Sequence, residues 1–330
     1  MKRILITGAN GFIGSFLVEQ AIKDGYDVYA GIRKSSNLKF ITGLKTSLFA
    51  VDLSNKQEII NKLYKYDRFD YIIHNAGITK TCNDKMFDQA NLKNTQNLIE
   101  ALQETNKIPD KFVYMSSLAA FGPSKHNTYP IKLTDKPSPI SKYGISKLKT
   151  EAYIKSIQSL PYLIFRPTGV YGPREKDYLV MYKSIKSGLE TYIGLKNQYI
   201  SFVYVKDLAE LLLKSLKSDI KRESYFVSDL KNYTAIEFNN IVKNELNKKT
   251  IAIVFPAFIV KILAFISEKV SCIISNKIPT LNIEKFKDIS EKNWSCDSSK
   301  LVSDFNFEPK YDLYKGVHEA INWYKKNKLL

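Results

Sequence analysis

The sequence is poor in cysteine and has no apolar run long enough to suggest a leader peptide. Its three cysteines, Cys82, Cys272 and Cys296, are odd in number and widely spaced, so they form no zinc or redox motif. We expect all three to be reduced and structural, and we predict no metal site. The apolar run near the N-terminus, residues 4–8, is too short for a signal peptide and precedes no cleavage site. We therefore predict a cytoplasmic protein.

Acidic residues are also scarce, because 33 Asp and Glu stand against 50 Lys and Arg and leave a formal net charge of +17. This excess favours anionic partners such as a phosphorylated cofactor or an anionic membrane surface. The lysines are scattered through the whole chain, however, which is typical of a general composition bias. The sequence contains no nucleic-acid-binding motif, so we expect no nucleic-acid partner. With 44% hydrophobic residues over 330 positions, the chain suits two closely packed lobes.

A glycine-rich turn stands at the start of the chain between two regular elements. The pattern predicts a buried strand at Arg3–Thr7 and an amphipathic helix at Phe12–Lys23. The glycines between them suit a tight turn, a close approach of phosphate oxygens and close packing of helix on sheet. Pyrophosphate would then lie at the helix N-terminus. The predicted dinucleotide contacts are Gly8, Asn10, Gly11, Phe12, Ile13 and Gly14.

The turn after the second predicted strand, residues 26–32, carries cations where an NAD-selective enzyme would usually carry an acid. Arg33 could pair with a ribose 2′-phosphate through two hydrogen bonds, and Lys34 could add a donor. We therefore predict NADP, with NAD as the alternative if both residues are only solvated. Asp52, followed by Leu53, closes the next predicted strand and could accept from the adenine amine or cap the following helix.

Further motifs follow in a fixed order along the chain. They occupy residues 70–77 (DYIIHNAG), Asn91, residues 113–117 (VYMSS), residues 143–147 (YGISK) and residues 166–173 (RPTGVYGP). In this order and spacing they resemble the extended short-chain dehydrogenase/reductase family, within the NAD-dependent epimerase/dehydratase superfamily. The C-terminal region is similar to the dihydroflavonol reductase and 3β-hydroxysteroid dehydrogenase-like branch.

The resemblance implies an α/β fold, with a Rossmann doubly wound parallel sheet and a smaller, mostly C-terminal α/β cap that binds the substrate. The NADP-binding domain would comprise residues 1–172 and about 200–230. The cap would comprise about 173–199 and 231–330. Enzymes of this kind are often dimers, so we expect a homodimer.

Tyr143 and Lys147 are four residues apart in a segment, residues 141–156, that has a helical pattern, so both side chains emerge on one face. A neighbouring ammonium lowers the pKa of a phenol from about 10 toward the working pH, which suits proton exchange with a carbonyl or carbinol oxygen. The resemblance implies that Tyr143 is the acid/base and that Lys147 also binds the nicotinamide ribose. It further implies that Ser117, rather than Ser116, donates to the reacting oxygen.

Other site residues are also implied by the resemblance. Asn91 matches the fourth catalytic residue of the family, although an asparagine at a helix start is also a common cap. We interpret His74 as a packing residue at a strand end rather than a base. The further cofactor contacts are Asn75, Ala76, Gly77, Tyr143, Lys147 and Pro167, and the substrate contacts are Thr79, Ser117, Leu118, Ala119, Tyr143 and Gly169.

Departures from the family pattern narrow the predicted chemistry. Leu118 and Ala119 stand where related dehydratases carry an Asp-Glu pair, so dehydration lacks its acid and base. Gly169 and Ile200 stand where nucleotide-sugar enzymes hold the diphosphate. We predict NADP-dependent hydride transfer to or from a secondary alcohol or ketone of a mainly apolar small molecule, such as a sterol-like compound or a long-chain keto-lipid. The alternatives are a nucleotide-sugar epimerase or reductase with retained NAD, and a non-catalytic NADP-binding or membrane-surface scaffold protein.

An apolar stretch in the predicted cap, residues 251–274, allows three interpretations. Its most apolar part, residues 251–266, is interrupted by Pro256 and Lys261 and is too short and too broken to span a bilayer. It could be core of the cap, the wall of a pocket for an apolar substrate, or an interfacial helix that contacts lipid with flanking lysines. Its apolar helical face would be formed by Phe258, Ile259, Ile262, Leu263, Phe265, Ile266, Val270, Ile273 and Ile274.

Overall fold

The computed structural model describes residues 1–126, 128–194, 197–274, 279 and 281–330, and at residues 273 and 274 it describes the backbone only. The strands are β1 (Arg3–Thr7), β2 (Asp27–Ile32), β3 (Ser47–Ala50), β4 (Tyr71–His74), β5 (Lys111–Met115), β6 (Tyr162–Pro167), β7 (Gly169–Tyr171), β8 (Leu189–Ile193), β9 (Tyr199–Tyr204), β10 (Glu223–Val227), β11 (Asn232–Thr234), β12 (Ile251–Phe255) and β13 (Asn293–Trp294). The helices are α1 (Phe12–Lys23), α2 (Lys56–Leu63), α3 (Lys85–Phe87), α4 (Asn94–Glu104), α5 (Lys142–Ser156), α6 (Asp177–Lys186), α7 (Val205–Ser215), α8 (Ala235–Leu246), α9 (Ala257–Ile274), α10 (Ile283–Ile289), α11 (Ser299–Phe305) and α12 (Leu313–Lys326). A π-helical turn, Asp88–Lys93, joins α3 to α4, and a 3₁₀ turn, Leu118–Ala120, follows β5.

Seven strands form one parallel sheet in the order β10-β6-β5-β4-β1-β2-β3. The chain begins at β1 in the middle, moves outward to β3, and then returns to β4 on the other side of β1. Ligands of such sheets lie beyond the carboxyl ends of the strands, at the point where the order reverses. The predicted doubly wound α/β fold is therefore confirmed, and a crevice is expected between β1 and β4.

Helices cover both faces of this sheet, so its central strands are buried. Because successive side chains of a strand point to opposite faces, Ile4 and Ile6 of β1 pack in the core layer of α1 and α7. Leu5 lies between them in sequence and packs in the opposite layer, which includes α2 and α4. The carboxyl ends of β1, β4 and β5 are therefore held between two packed layers.

The remaining strands form a smaller second unit. The strands β11, β9 and β13 make one sheet with β7 on β9, and β12 pairs with β8. Between these strands and α6, α8 and α12 lies a cluster rich in aromatic side chains. The strand β10 returns to the large sheet, whereas β9, which begins at Tyr199, belongs to the small one. The segment of about 200–230 therefore contributes to both sheets, and its assignment to the cofactor-binding domain stays a prediction.

A disulfide joins Cys82, in the loop after β4, to Cys272 in α9. The prediction that all cysteines are reduced is wrong for this pair, whereas Cys296 is free and buried. The spacing could not reveal the pair, because 190 residues separate the two cysteines and only the folded cap brings α9 to this loop. Disulfides are typical of oxidising environments. The cytoplasmic location therefore stays a prediction.

Candidate active site

The glycine turn after β1 leaves the first amides of α1 open to an anion. Gly8 has a φ of +66°, and a Cβ there would lie 3.0 Å from the backbone of Ala76. A Cβ on Gly14 would lie 2.0 Å from the carbonyl oxygen of Gly8, so the helix can pack here only with glycine. Gly11 is the N-cap, and it has no side chain that could occupy the amides of the first turn. The turn therefore fits the pyrophosphate of a dinucleotide.

Among the other predicted cofactor residues, Asn75 and Ala76 bond to this turn and to the end of β1. The Asn75 side-chain amide donates to the Gly8 carbonyl oxygen at 3.4 Å, and the Ala76 amide donates to the Thr7 hydroxyl at 3.1 Å. Asn10 donates from Nδ2 to the carbonyl oxygen of Asn37 at 3.2 Å. Phe12, Ile13 and Leu53 pack against the core, and Pro167 ends β6.

The turn after β2 holds the predicted cations at the surface, where Arg33 and Lys34 are exposed. Asp52 accepts a hydrogen bond from the amide of Ser54 at 2.9 Å. Bonding to Ser54, together with the charges of Arg33 and Lys34, lowers the pKa of the Asp52 carboxyl group. Asn55, not Asp52, is the N-cap of α2, so the capping alternative for Asp52 is wrong. The Asp52 carboxylate therefore lies near enough to Arg33 and Lys34 to interact with their charges.

The helix α5 brings Tyr143 and Lys147 to the crevice. It starts after Ser141, whose hydroxyl accepts a hydrogen bond from the Gly144 amide and caps the helix. Lys147 is buried, donates from Nζ to the carbonyl oxygen of Met115 at 2.7 Å, and lies 6.0 Å from the centre of the Tyr143 ring. The predicted helical spacing therefore places both side chains on the face toward β5.

Burial controls the protonation of this pair. It raises the pKa of Tyr143 to about 12, although a hydrogen bond with the Ser117 hydroxyl opposes the rise. It lowers the pKa of Lys147 to about 7, although the charge of Glu151 opposes the fall. In the chain alone, desolvation outweighs the effect of the ammonium because it disfavours the charged form of both groups, so the lowered phenol pKa stays a prediction.

The two neighbouring serines after β5 point in different directions. Ser116 is buried and donates to Oε1 of Glu151 at 2.5 Å. Glu151 also accepts two hydrogen bonds from Arg166, at 2.9 Å and 2.7 Å, and both charged side chains are buried. Ser117 instead lies beside Tyr143 and accepts from the amide of Ala119 at 3.2 Å. This geometry favours Ser117 over Ser116 as the donor to a reacting oxygen.

Asn91 is buried in the π-helical turn, and its side chain bonds to the loop after β4 rather than to a helix start. Its Oδ1 accepts from the Ile78 amide at 2.9 Å, and its Nδ2 donates to the Ile78 carbonyl oxygen at 3.1 Å and to Ser146 Oγ at 2.9 Å. The capping alternative is therefore wrong. A Cβ on Gly77 would lie 2.8 Å from Asn91 Oδ1 and 3.4 Å from Lys147 Nζ, so this glycine keeps the space between β4 and α5 open.

His74 is buried at the end of β4 between two threonines. Its Nδ1 lies 2.8 Å from the Thr7 hydroxyl, and its Nε2 lies 2.9 Å from the Thr95 hydroxyl. Burial, with a smaller contribution from the charge of Lys147, lowers the pKa of His74 to about 3. The neutral, doubly bonded ring fits the interpretation of His74 as a packing residue.

His74 is expected to make the protein less stable in mild acid. Between pH 6.5 and about 3 the unfolded histidine binds a proton that the folded one does not, so stability falls as the pH is lowered. From pH 7 to pH 5 this loss is about 2 kcal/mol. Urea unfolding of His74→Gln should show a flatter pH dependence than the wild type, while His126→Gln, at an exposed site, should not. An unchanged slope in His74→Gln would contradict this assignment.

The cap contributes an acidic residue to the site that sequence reasoning missed. The helix α10 docks on the first turn of α5, where the Lys142 amide donates to the carboxylate of Glu284. Burial raises the pKa of Asp288 to about 6, and the charge of Asp288 raises that of Tyr143. Among the described atoms, Oδ1 of Asp288 is buried without a hydrogen-bond partner. The same carboxyl group bonds to the Ser141 side chain, so Asp288 faces the first turn of α5.

The predicted substrate residues lie on three segments, the 3₁₀ turn after β5, the loop after β4 and the strand β7. Leu118 and Ala119 are buried in the 3₁₀ turn after β5, and Thr79 is exposed in the loop after β4. A Cβ on Gly169 would lie 2.4 Å from the hydroxyl of Tyr178. The Tyr178 side chain therefore fills the space that a longer side chain at position 169 would need.

A doubly wound parallel sheet that brings a glycine turn and a tyrosine–lysine pair to its carboxyl edge defines the class of nicotinamide-dependent oxidoreductases of the short-chain type. Residues 4–227 match the model of the NAD dependent epimerase/dehydratase family. The chain belongs to this family, and it is an NAD(P)-dependent enzyme of the extended short-chain dehydrogenase/reductase type.

Similar proteins differ in their chemistry. Sterol-4-alpha-carboxylate 3-dehydrogenase, decarboxylating, of Candida albicans is 23% identical, over 98% of this chain and 97% of that protein. UDP-glucose 4-epimerase of Vibrio cholerae is 25% identical, over 86% of this chain and 87% of that protein. The solved structure of UDP-glucose 4-epimerase from Thermotoga maritima shares the fold, with a TM-score of 0.81, 20% identity and 99% of each chain covered. Family membership alone therefore leaves the substrate open.

Proposed function

We propose that the enzyme transfers hydride between NADP and a secondary alcohol or ketone of a mainly apolar substrate, such as a sterol-like compound or a long-chain keto-lipid. The observation that carries this proposal is the position of Tyr143, which lies beside the Ser117 hydroxyl with its ring centre 6.0 Å from Lys147 Nζ and is a neutral phenol near pH 7. A neutral phenol beside a serine hydroxyl can give a proton to a carbonyl oxygen. The proposed direction is therefore reduction of a ketone.

Each catalytic residue has a separate task in this reaction. The bound nicotinamide would supply the hydride. Tyr143 donates its proton to the substrate oxygen, and Ser117 donates a hydrogen bond that positions the same oxygen. Lys147 uses one N–H to bond Met115, and the others can bind ribose hydroxyls. When protonated, its charge also stabilises the phenolate that remains after Tyr143 has given up its proton.

The residues around the reacting position support an apolar substrate. Leu118 and Ala119 are buried aliphatic residues next to Ser117, where a dehydratase would carry two acids, so the site lacks the groups for dehydration. Tyr178 fills the space at Gly169, which leaves little room for the diphosphate of a nucleotide sugar. The Candida albicans relative is a sterol dehydrogenase by name, which supports the same class of substrate here. Dimer formation stays a prediction from the sequence.

Arg33 is the residue proposed to select NADP. Replacing it with alanine is expected to weaken NADPH binding about 10- to 100-fold, because a charge-assisted hydrogen bond contributes about 1.5–3 kcal/mol. NADH has no 2′-phosphate, so its affinity should not change. Titrations that follow nicotinamide fluorescence measure both values. Lys45→Ala, which removes another exposed positive charge, should leave both affinities unchanged. Equal losses for NADPH and NADH in Arg33→Ala would contradict the NADP assignment.

A nucleotide-sugar epimerase or reductase with retained NAD is the second candidate, because the Vibrio cholerae relative and the Thermotoga maritima structure are named as epimerases. Tyr143 would then remove a proton from a sugar hydroxyl, which requires its phenolate. NAD retained through purification would favour this reading. A non-catalytic NADP-binding or membrane-surface scaffold is a lesser alternative, and it would gain support if Tyr143→Phe left the biological effect unchanged.

A further inference from the structure

The cap carries an exposed apolar surface outside the catalytic crevice. The strand β12 and the helix α9 form it together, and we call it the docking surface. Its large side chains are between 36% and 70% exposed, whereas Val260 and Ala264 turn inward and are buried. The docking surface comprises Ile251, Val254, Phe255, Phe258, Ile259, Ile262, Leu263, Phe265, Ile266 and Val270. These exposures contradict the interpretation of the whole stretch as core of the cap. Ile273 and Ile274 were also predicted on the apolar face, but their side chains lie outside the described part of the chain.

The apolar side chains of α9 form one continuous stripe. At about 100° per residue, the exposed apolar side chains from Phe258 to Val270 fall within an arc of roughly 160°, and the buried Val260 and Ala264 lie outside it. The β12 residues extend the stripe beyond the start of the helix. Soluble proteins rarely leave so large a patch uncovered unless it contacts a partner or a membrane. Within the described residues no helix has the length and apolar character needed to cross a bilayer, so a surface contact is the form available to α9.

The exposed charges on α9 and immediately before β12 are all positive. Lys261 and Lys269 are exposed on α9, and Lys248 and Lys249 are exposed just before β12. The acidic residue of this helix, Glu268, accepts a hydrogen bond from the amide of Ile283 at 2.9 Å. Cations beside a broad apolar stripe complement anionic phospholipid headgroups above an acyl layer.

We propose that the docking surface binds an anionic phospholipid bilayer, with α9 lying in the plane of the interface. The apolar side chains enter the boundary between headgroups and acyl chains, and the four lysines pair with lipid phosphates. A second copy of the chain fits less well, because lysine is depleted at protein interfaces and Lys269 lies within the arc of the apolar stripe.

The docking surface is connected to the substrate side of the crevice. The Cys82–Cys272 disulfide fixes the end of α9 to the loop after β4, which also carries Thr79 and Lys80. Lys80 pairs with Asp177 of α6 at 2.5 Å, so the same loop also contacts the cap. Docking would therefore hold the crevice close to the bilayer, where an apolar substrate is dissolved. This last step rests on the proposed function, but lipid binding itself does not.

Vesicle sedimentation of the full chain tests the proposal without any substrate. Vesicles of phosphatidylcholine mixed with phosphatidylglycerol should bind the wild type at least about tenfold more tightly than vesicles of phosphatidylcholine alone, since each lysine near an anionic surface contributes about 1 kcal/mol. Phe258→Ser with Phe265→Ser should lose binding to both kinds of vesicle at least about tenfold. Lys261→Glu with Lys269→Glu should abolish the preference for anionic lipid.

Matched controls place equivalent changes elsewhere on the surface. Val302→Ser with Tyr314→Ser and Lys217→Glu with Lys221→Glu alter exposed apolar and charged residues outside the docking surface, and both should bind like the wild type. NADPH titration of every variant checks that the cofactor domain is folded. Wild-type protein that sediments with neither vesicle overturns the proposal. Light scattering gives a second way to overturn it. If the wild type were a dimer and the Phe258 and Phe265 changes made it a monomer, a second copy of the chain would cover this face instead. Failure of the NADP or ketone assays would leave the vesicle result unaffected.

Discussion

Tyr143→Phe is expected to lower kcat for ketone reduction about 10²- to 10⁴-fold, because the variant loses the proton donor to the reacting oxygen. The phenylalanine ring fits the same space, so the fold should be preserved. NADPH affinity should change little, since the phenylalanine ring keeps the packing of Tyr143 and the charged and backbone contacts proposed for the cofactor lie on other residues. Initial rates of NADPH oxidation, together with a fluorescence titration of NADPH, separate the two effects.

A matched change on the same helix controls this prediction. Tyr153 is half-buried on α5 and packs against the core layer of α2 and α4. Tyr153→Phe removes a phenolic hydroxyl from α5 and should retain the wild-type kcat. A Tyr143→Phe enzyme with more than about a tenth of the wild-type kcat would mean that another group supplies the proton, because general acid catalysis contributes at least 10²-fold.

Glu151→Gln is expected to lower the free energy of unfolding by about 3–5 kcal/mol, since it leaves the buried Arg166 guanidinium without its counter-charge. Glu151 is 1% exposed and ties α5 to β6 through Arg166 and to the end of β5 through Ser116. The same change removes a charge that supports the protonated form of Lys147. Urea unfolding at pH 7 measures the first effect.

Two comparisons make the Glu151 result specific. Asp88→Asn breaks an ion pair with Lys149 that is about half exposed at both ends, and it should cost no more than about 1 kcal/mol. Replacing the buried pair together, as Glu151→Leu with Arg166→Met, should recover most of the lost stability because no buried charge remains unpaired. If Glu151→Gln lowered the free energy of unfolding by no more than Asp88→Asn does, water would have to reach the Glu151–Arg166 pair, which would contradict this account.

The elements nearest the cofactor were predictable because their signals are local. The bounds of β1 and α1 follow from an apolar strand, a glycine turn and a helical period within 23 residues, and the structure has the same bounds. The catalytic helix begins one residue later than predicted, because Ser141 serves as its cap. Alternation of strand and helix signals then restricts the sheet to a doubly wound form.

Long-range contacts were not predictable from spacing. Cys82 meets Cys272, and Asp288 influences Tyr143, only after the cap has folded against the sheet. The two cysteines and Asp288 stand in no motif, and a cysteine or an aspartate alone gives no sign of its spatial neighbours. Asp52 and Asn91 were ambiguous for a similar reason, since both residue types are common helix caps and only their hydrogen bonds exclude that role.

The most direct test of the account combines two assays on the same purified enzyme. One follows NADPH oxidation with a panel of sterol ketones and long-chain ketones, and the other follows interconversion of UDP-glucose and UDP-galactose. The account predicts that NADPH is consumed in step with loss of a ketone, that Tyr143→Phe lacks this activity, and that the UDP-sugars are not interconverted. Interconversion of the UDP-sugars with retained NAD and no net cofactor consumption would contradict it.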